Sequence, residues 1–170
     1  MKKVYVMKYF TYIAIAFCSI FAEQILNAQE STHGIGLMVG EPAGLTAKVW
    51  TSYTTAFDFG FGFSVGGDRI GKYDKYNGGE SRLHVHMDYL WHSFDAIQMS
   101  ERYPVYYGFG LRLNNGAGYD VSMALRGVFG VSWMPVSAPI DFFMELVPMY
   151  QFTNSNGFGI DAGVGARYYF

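Results

Sequence analysis

Cysteine is all but missing from this chain. Its one thiol, Cys18, excludes an intrachain disulfide, and no Cys/His spacing of the structural-zinc kind is present. Charge is scarce too: charged residues make up 15% of the sequence and the formal net charge is -2. That leaves no basic footprint for nucleic acid, and none of the charge excess that keeps a chain disordered. Beyond the first two dozen residues, no apolar run approaches the roughly 20 residues that a membrane-spanning helix needs. If the chain enters a membrane, strands must carry it. In quantity it has glycine, 21 residues, and aromatic side chains, 19% of the sequence. Such a composition suits strands and tight turns better than helices and argues against an ordinary soluble enzyme.

The first 28 residues are built differently from the rest. Lys2, Lys3 and Lys8 precede an apolar run of about 14 residues from Tyr9 to Ala22, followed by the polar stretch Glu23 to Asn27 and then Ala28. A basic start, a short apolar core and a small residue at the end form the layout of a secretory signal, with cleavage expected near Ala28. The run is short for a transmembrane anchor. Lipidation at Cys18 is disfavoured by the bulky Phe17 and Phe21 on either side. Loss of residues 1–28 leaves nine Lys and Arg against thirteen Asp and Glu, a net charge of about -4 on a mature domain of residues 29–170.

From His33 onward the hydrophobic period is 2, the period of half-buried strands. In Ala56 to Ser64, Phe57, Phe59, Phe61 and Phe63 fill one face while Asp58, Gly60, Gly62 and Ser64 fill the other. Leu83, Val85, Met87, Tyr89 and Trp91 alternate with Arg82, His84, His86, Asp88 and Leu90; Tyr107, Phe109, Leu111 and Leu113 alternate with Tyr106, Gly108, Gly110 and Arg112. The same alternation runs through Val121 to Trp133, Ile140 to Val147 and Gly159 to Phe170. Two shorter strands, His33 to Gly40 and Gly44 to Thr51, open the mature chain around the turn at Glu41 and Pro42. The reading is all-β, an eight-stranded antiparallel up-and-down transmembrane β-barrel. Pro148 is expected to mark a bulge or the outer end of the seventh strand.

Charge decides which face is inside. Lys48, Arg82, Arg112, Arg126 and Arg167, with Asp58, Asp88, Asp141, Glu145 and Asp161, all fall on one set of alternating positions. In a soluble lipocalin-like barrel that face would meet water and the Phe/Leu/Val face would line a cavity. Gly60, Gly62, Gly108, Gly110, Gly130, Gly159, Gly163 and Gly165 share the charged face, however, and a narrow eight-stranded interior is filled by long side chains fitted against small ones. The expected arrangement is therefore a charged, side-chain-filled lumen, with His84 and His86 in its network, and an apolar face toward lipid. Hairpin centres near Tyr53, Ser155 and Val136 place Lys48 opposite Asp58, Asp141 beside Arg167, and Arg126 within diagonal reach of Glu145. Such charges are tolerable only as a closed salt-bridge plug. Tyr89, Trp91, Tyr107, Trp133, Phe142, Tyr168 and Phe170 are expected to form an interfacial girdle at one end. With both termini periplasmic, the turn at Glu41 and the connections 66–80, 114–119 and 152–156 face outward. The long connection from His92 to Arg102 falls on the opposite side and has no evident reason in the sequence.

Four segments carry a resemblance: Gly-Glu-Pro-Ala-Gly-Leu-Thr-Ala-Lys from Gly40 to Lys48, His-Val-His-Met-Asp-Tyr-Leu-Trp-His from His84 to His92, Tyr-Tyr-Gly-Phe-Gly-Leu-Arg from Tyr106 to Arg112, and the final Gly-Ala-Arg-Tyr-Tyr-Phe. With these the chain resembles small Gram-negative outer-membrane barrels of the OmpA/OmpX-like superfamily, and is similar to a group of exported bacterial barrels that carries no assigned activity. The resemblance covers the whole mature chain. It implies the outer membrane as location, outer-membrane lipid as partner, and recognition of the Tyr168 and Phe170 end by the outer-membrane assembly machinery. It transfers no catalytic residue and no cofactor.

The residues offer little chemistry beyond this. His84 and His86, two apart on a strand, share a face on which two imidazoles can meet a metal, but no third ligand is identified and no metal is expected. Ser81, His84 and Asp88 are too spread along one strand to make a triad, and no nucleophile elbow accompanies them. The Gly-Phe-Gly pairs at Gly60 and Gly108 lie within strands and lack a helix N-terminus for phosphate. The leading expectation is a non-enzymatic barrel with a structural or surface-interaction role through its extracellular loops. A narrow channel for ions or small solutes and a lipid-modifying enzyme are the alternatives.

Overall fold

The computed structural model describes residues 32–64, 82–116, 119–153 and 156–170. The expected export signal, residues 1–28, and the connection 66–80 lie outside the described residues. Among those described there is no helix. Eight strands follow one another: β1 (His33–Gly40), β2 (Ala43–Trp50), β3 (Thr55–Ser64), β4 (Arg82–Ser93), β5 (Val105–Gly116), β6 (Tyr119–Trp133), β7 (Ile140–Gln151) and β8 (Gly157–Tyr169). Each is antiparallel to its neighbour in the chain, and β8 closes the sheet by pairing with β1. Closure leaves no strand edge unpaired.

We call the end that carries the connections 51–54, 94–104 and 134–139 proximal, and the opposite end distal. The first distal turn is short: only Glu41 and Pro42 separate β1 from β2, and their peptide bond is cis. Gly40 enters it with φ of 133°, where a Cβ would also overlap the Ala162 carbonyl, so only glycine fits. At the proximal turn from β2 to β3, Ser52 Oγ accepts hydrogen bonds from the amides of Thr54 and Thr55 at 3.2 and 3.1 Å, a hydroxyl-stabilised turn.

Side chains sort as the period-2 pattern requires. Phe59, Phe61, Phe109, Leu125, Met144 and Ile160 stand exposed on the outside, while Lys48, Asp58, Asp88, Arg112, Arg126, Asp141 and Arg167 are buried inside. The glycines of the inner face make room for their large neighbours. A Cβ at Gly60 would overlap the His86 ring, one at Gly110 the Asp88 carboxylate, one at Gly130 the Tyr106 ring and one at Gly165 the Phe143 ring. The interior is thus packed by pairing no side chain with a long one across adjacent strands. A small apolar layer of Leu90, Tyr106, Val128 and Val147 lies among the charges.

Two expectations need correction. Pro148 marks neither a bulge nor a strand end. β7 runs on to Gln151, Pro148 pairs with Ile160 on β8, and the register to β6 is the same at Phe129↔Leu146 as at Arg126↔Met149. Between those pairs the ladder to β6 is interrupted, because proline has no N–H to give; the pairing on both sides holds the strand straight through the gap. The second correction concerns His92, which the sequence pattern leaves at the start of the long connection. It belongs to β4, where it continues the inward series of His84, His86, Asp88 and Leu90, and its ring packs 4.4 Å from Trp50 and 5.1 Å from Tyr106.

The connection after β4 acquires a structural reason. Phe94 folds onto Trp50 and Tyr53 at ring separations of 6.1 and 5.1 Å, Arg102 bridges to Met134, and Glu101 accepts a hydrogen bond from the Val136 amide at 2.8 Å. It is strapped against the other two proximal turns.

Candidate functional site

The candidate site is the charged interior, and the strand register assembles it. Lys48 lies directly opposite Asp58, and Asp141 directly opposite Arg167. Because β8 closes onto β1, Arg167 also reaches the β2–β3 hairpin. Its guanidinium donates to Asp58 at 2.7 and 2.9 Å, to Asp141 at 3.2 Å and to Thr46 Oγ1 at 2.8 and 3.0 Å, and it stacks 3.8 Å above the Phe143 ring. Lys48 Nζ stands 3.6 Å from Asp58 and 3.9 Å from Asp141, completing an alternating cluster of two cations and two anions. Tyr169 donates to Asp141 at 3.2 Å. On its other side Lys48 Nζ meets His92 Nε2 at 3.2 Å and the face of Tyr106 at 4.6 Å. An ammonium only donates, so His92 accepts through Nε2.

A second group sits farther along the barrel. Asp58 and Asp88 are direct cross-strand neighbours, a like-charge pair that is unfavourable unless each has its own cation. Arg167 serves Asp58. Arg126 serves Asp88, with Nε 3.1 and 3.2 Å from its two oxygens, and extends Nη2 to within 4.0 Å of Glu145. Glu145 in turn accepts from the Tyr106 hydroxyl at 3.3 Å. The distal group consists of Arg112, 3.7 Å from Asp161 and bonded to Gln151 at 2.9 Å. His84 Nε2 and His86 Nδ1 are 2.9 Å apart, and His86 Nε2 lies 3.8 Å from Asp88. Arg82 is buried at the distal end.

The strand charges lie on the inner face, nine of the ten buried and Asp161 half-buried, and the contacts of all but Arg82 fall into three groups. Buried charge is costly, and the attraction between well-placed partners roughly offsets desolvation without adding much net stability. The arrangement is densely packed: Lys48, His84 and Asp141 are 0% exposed, Asp58, Asp88, Arg112, Arg126, Glu145 and Arg167 no more than 8%, and the Asp161 side chain 13%. Of its members, Thr46, His92, Tyr106, Gln151 and Tyr169 were not among the expected site residues. Each is inward by the same alternation, but none carries the permanent charge that marks the inner face in the sequence.

Among the described residues no group of three or more His, Cys, Asp or Glu side chains is arranged to hold a metal ion. Ser81 lies outside the described residues, and His84 is directed to His86. On the outer surface Tyr89, Trp91, Tyr107, Trp133, Phe142 and Tyr168 all occur at the proximal end. They are linked by ring contacts of 4.9 Å from Tyr89 to Trp91, 5.9 Å from Trp91 to Tyr107 and 5.3 Å from Trp133 to Phe142. Comparison with protein-family models, with curated proteins and with solved structures finds no match to the chain.

Proposed function

We propose that this chain is an outer-membrane β-barrel, OmpA/OmpX-like in plan, exported by the signal in residues 1–28, with a non-enzymatic structural or surface-interaction role. The observation that carries the reading is the inversion of polarity. The charges are inside, and the described strands present an apolar belt outside, from Ile35, Leu37 and Val39 on β1 to Ile160 and Val164 on β8. An apolar surface that encircles a domain far exceeds the few hundred Å² a soluble monomer exposes.

Dimensions support the same orientation. Phe158, which packs on Tyr150 at 4.8 Å, and Tyr168 are ten residues apart on β8. At about 3.4 Å per residue and a tilt of about 40°, they stand about 26 Å apart along the axis, close to the height of a membrane barrel's apolar band. The paired interior favours a sealed barrel over a conducting one. With both termini in the periplasm, the strapped proximal end, where β1 begins and β8 ends, faces the periplasm and the distal connections face outward, available to a partner.

Membrane fractionation with electrophoresis of heated and unheated samples tests the proposal. Recovery in the outer membrane with a heat-dependent shift in migration is expected. A soluble periplasmic product without that shift would overturn it. For the surface role, exchange of the connection 66–80 for a short turn is expected to abolish cell-surface binding of a partner while preserving the heat-dependent shift.

A further inference from the structure

Toward the distal end, one hydrogen-bond set inside the barrel is incomplete. His84, Asn114 and Ser122 are 0%, 2% and 2% exposed. They occupy a single cross-strand row, His84 opposite Asn114 and Asn114 opposite Ser122. Such neighbours hold their Cβ atoms about 5 Å apart. Gly62, the other cross-strand neighbour of His84, brings no side chain to the row. Yet His84 Nδ1, Asn114 Oδ1 and Ser122 Oγ have no hydrogen-bond partner among the described residues. Buried polar atoms are satisfied in about nine cases of ten or more, by protein or by ordered water. Three unsatisfied atoms on the residues of one cross-strand row, carried by three adjacent strands, mark a place where the protein supplies one half of a set.

The proton positions define the other half. Asp88 lies 3.8 Å from His86 Nε2, and its negative charge favours the proton on that nitrogen. His86 Nδ1 then carries a lone pair and accepts from His84 Nε2, 2.9 Å away. With its proton on Nε2, a neutral His84 presents Nδ1 as an acceptor. The row therefore offers two acceptors, His84 Nδ1 and Asn114 Oδ1, and one hydroxyl that donates. A guest that donates twice and accepts once completes it. A metal ion would also find these lone pairs, but the buried cations Arg112, two residues from Asn114, and Arg126, four residues from Ser122, put positive charge next to it.

We propose that His84, Asn114 and Ser122 form a built hydration site: one ordered water donates to His84 Nδ1 and Asn114 Oδ1 and accepts from Ser122 Oγ. Three hydrogen bonds is the usual complement of a buried water. Through it the site ties β4, β5 and β6 together at the distal end and holds the His84 ring in line with His86 and Asp88. The inference stands on the interior alone and does not depend on where the barrel resides.

The test is Ser122→Ala in the refolded full barrel, read by urea unfolding, beside water-to-amide cross-relaxation by NMR in the unsubstituted protein. The site predicts a long-lived water contact near the amides of Asn114 and Ser122, and an unfolding constant raised roughly fivefold to tenfold by Ser122→Ala. A dry row predicts the opposite, since removing an unsatisfied hydroxyl is neutral or stabilising. An unfolding constant unchanged or lowered, or no long-lived water at those amides, would overturn the proposal.

Discussion

Replacing Arg167 by methionine is the sharpest probe of the charged interior. The substitution keeps an unbranched chain over Phe143 while deleting the guanidinium that joins Asp58, Asp141 and Thr46. Charge-assisted hydrogen bonds are worth about 1.5–3 kcal/mol each, but those made by one group are not additive. The governing quantity is the cost of stranding a buried charge. Lys48 alone, 3.6 Å from Asp58 and 3.9 Å from Asp141, is left to serve two carboxylates. The expected loss is about 3–5 kcal/mol. Urea titration of the refolded barrel, followed by tryptophan fluorescence, reads this directly. Pairing Arg167→Met with Asp58→Asn returns the cluster to one cation and one anion, and is expected to recover at least about 1 kcal/mol. A single-variant loss below about 1 kcal/mol, the range of a solvent-screened surface pair, would refute the reasoning. So would a double variant no more stable than the single one.

Other perturbations address the remaining features. Phe61→Arg places a charge on the exposed belt; in lipid vesicles it is expected to cost about 2–4 kcal/mol of folding free energy, whereas a barrel with a water-facing exterior would lose under about 0.5 kcal/mol. Gly130→Ala drives a methyl group into the Tyr106 ring and is expected to cost about 1–3 kcal/mol, with Tyr106→Leu relieving part of the loss in thermal unfolding of the double variant. In planar-bilayer recordings the unsubstituted barrel is expected to stay closed, while joint removal of Arg126 and Glu145 to alanine opens a measurable conductance; steady current from the unsubstituted protein would contradict the occluding role.

Much of the fold was legible because alternation is a local property. Phe57 to Phe63 announces a strand without reference to anything distant, and hairpin arithmetic across short turns placed Lys48 on Asp58 and Asp141 on Arg167 as the register has them. Pro148 misled because the rule that proline breaks a strand is also local, and in a closed sheet the pairing on both sides carries the strand past the gap. His92 was missed because it ends its run beside a polar connection; the Trp50 and Tyr106 rings that hold it inside come from other strands.

The sequence by itself determined the set of inward residues, their balance of five positive against five negative charges on the strands, and the glycines that leave space among them. A period of two assigns every strand residue to a face, and nothing distant can change that assignment without slipping the whole strand. Which inward charges meet was decided only by the tertiary structure. The contacts from Arg167 to Asp58, from Arg126 to Asp88 and from Lys48 to His92 join residues on strands that do not follow one another in the chain. Barrel closure and the tilt of the strands bring them together across the lumen, and those distances are set by the curvature of the whole sheet rather than by any segment of it.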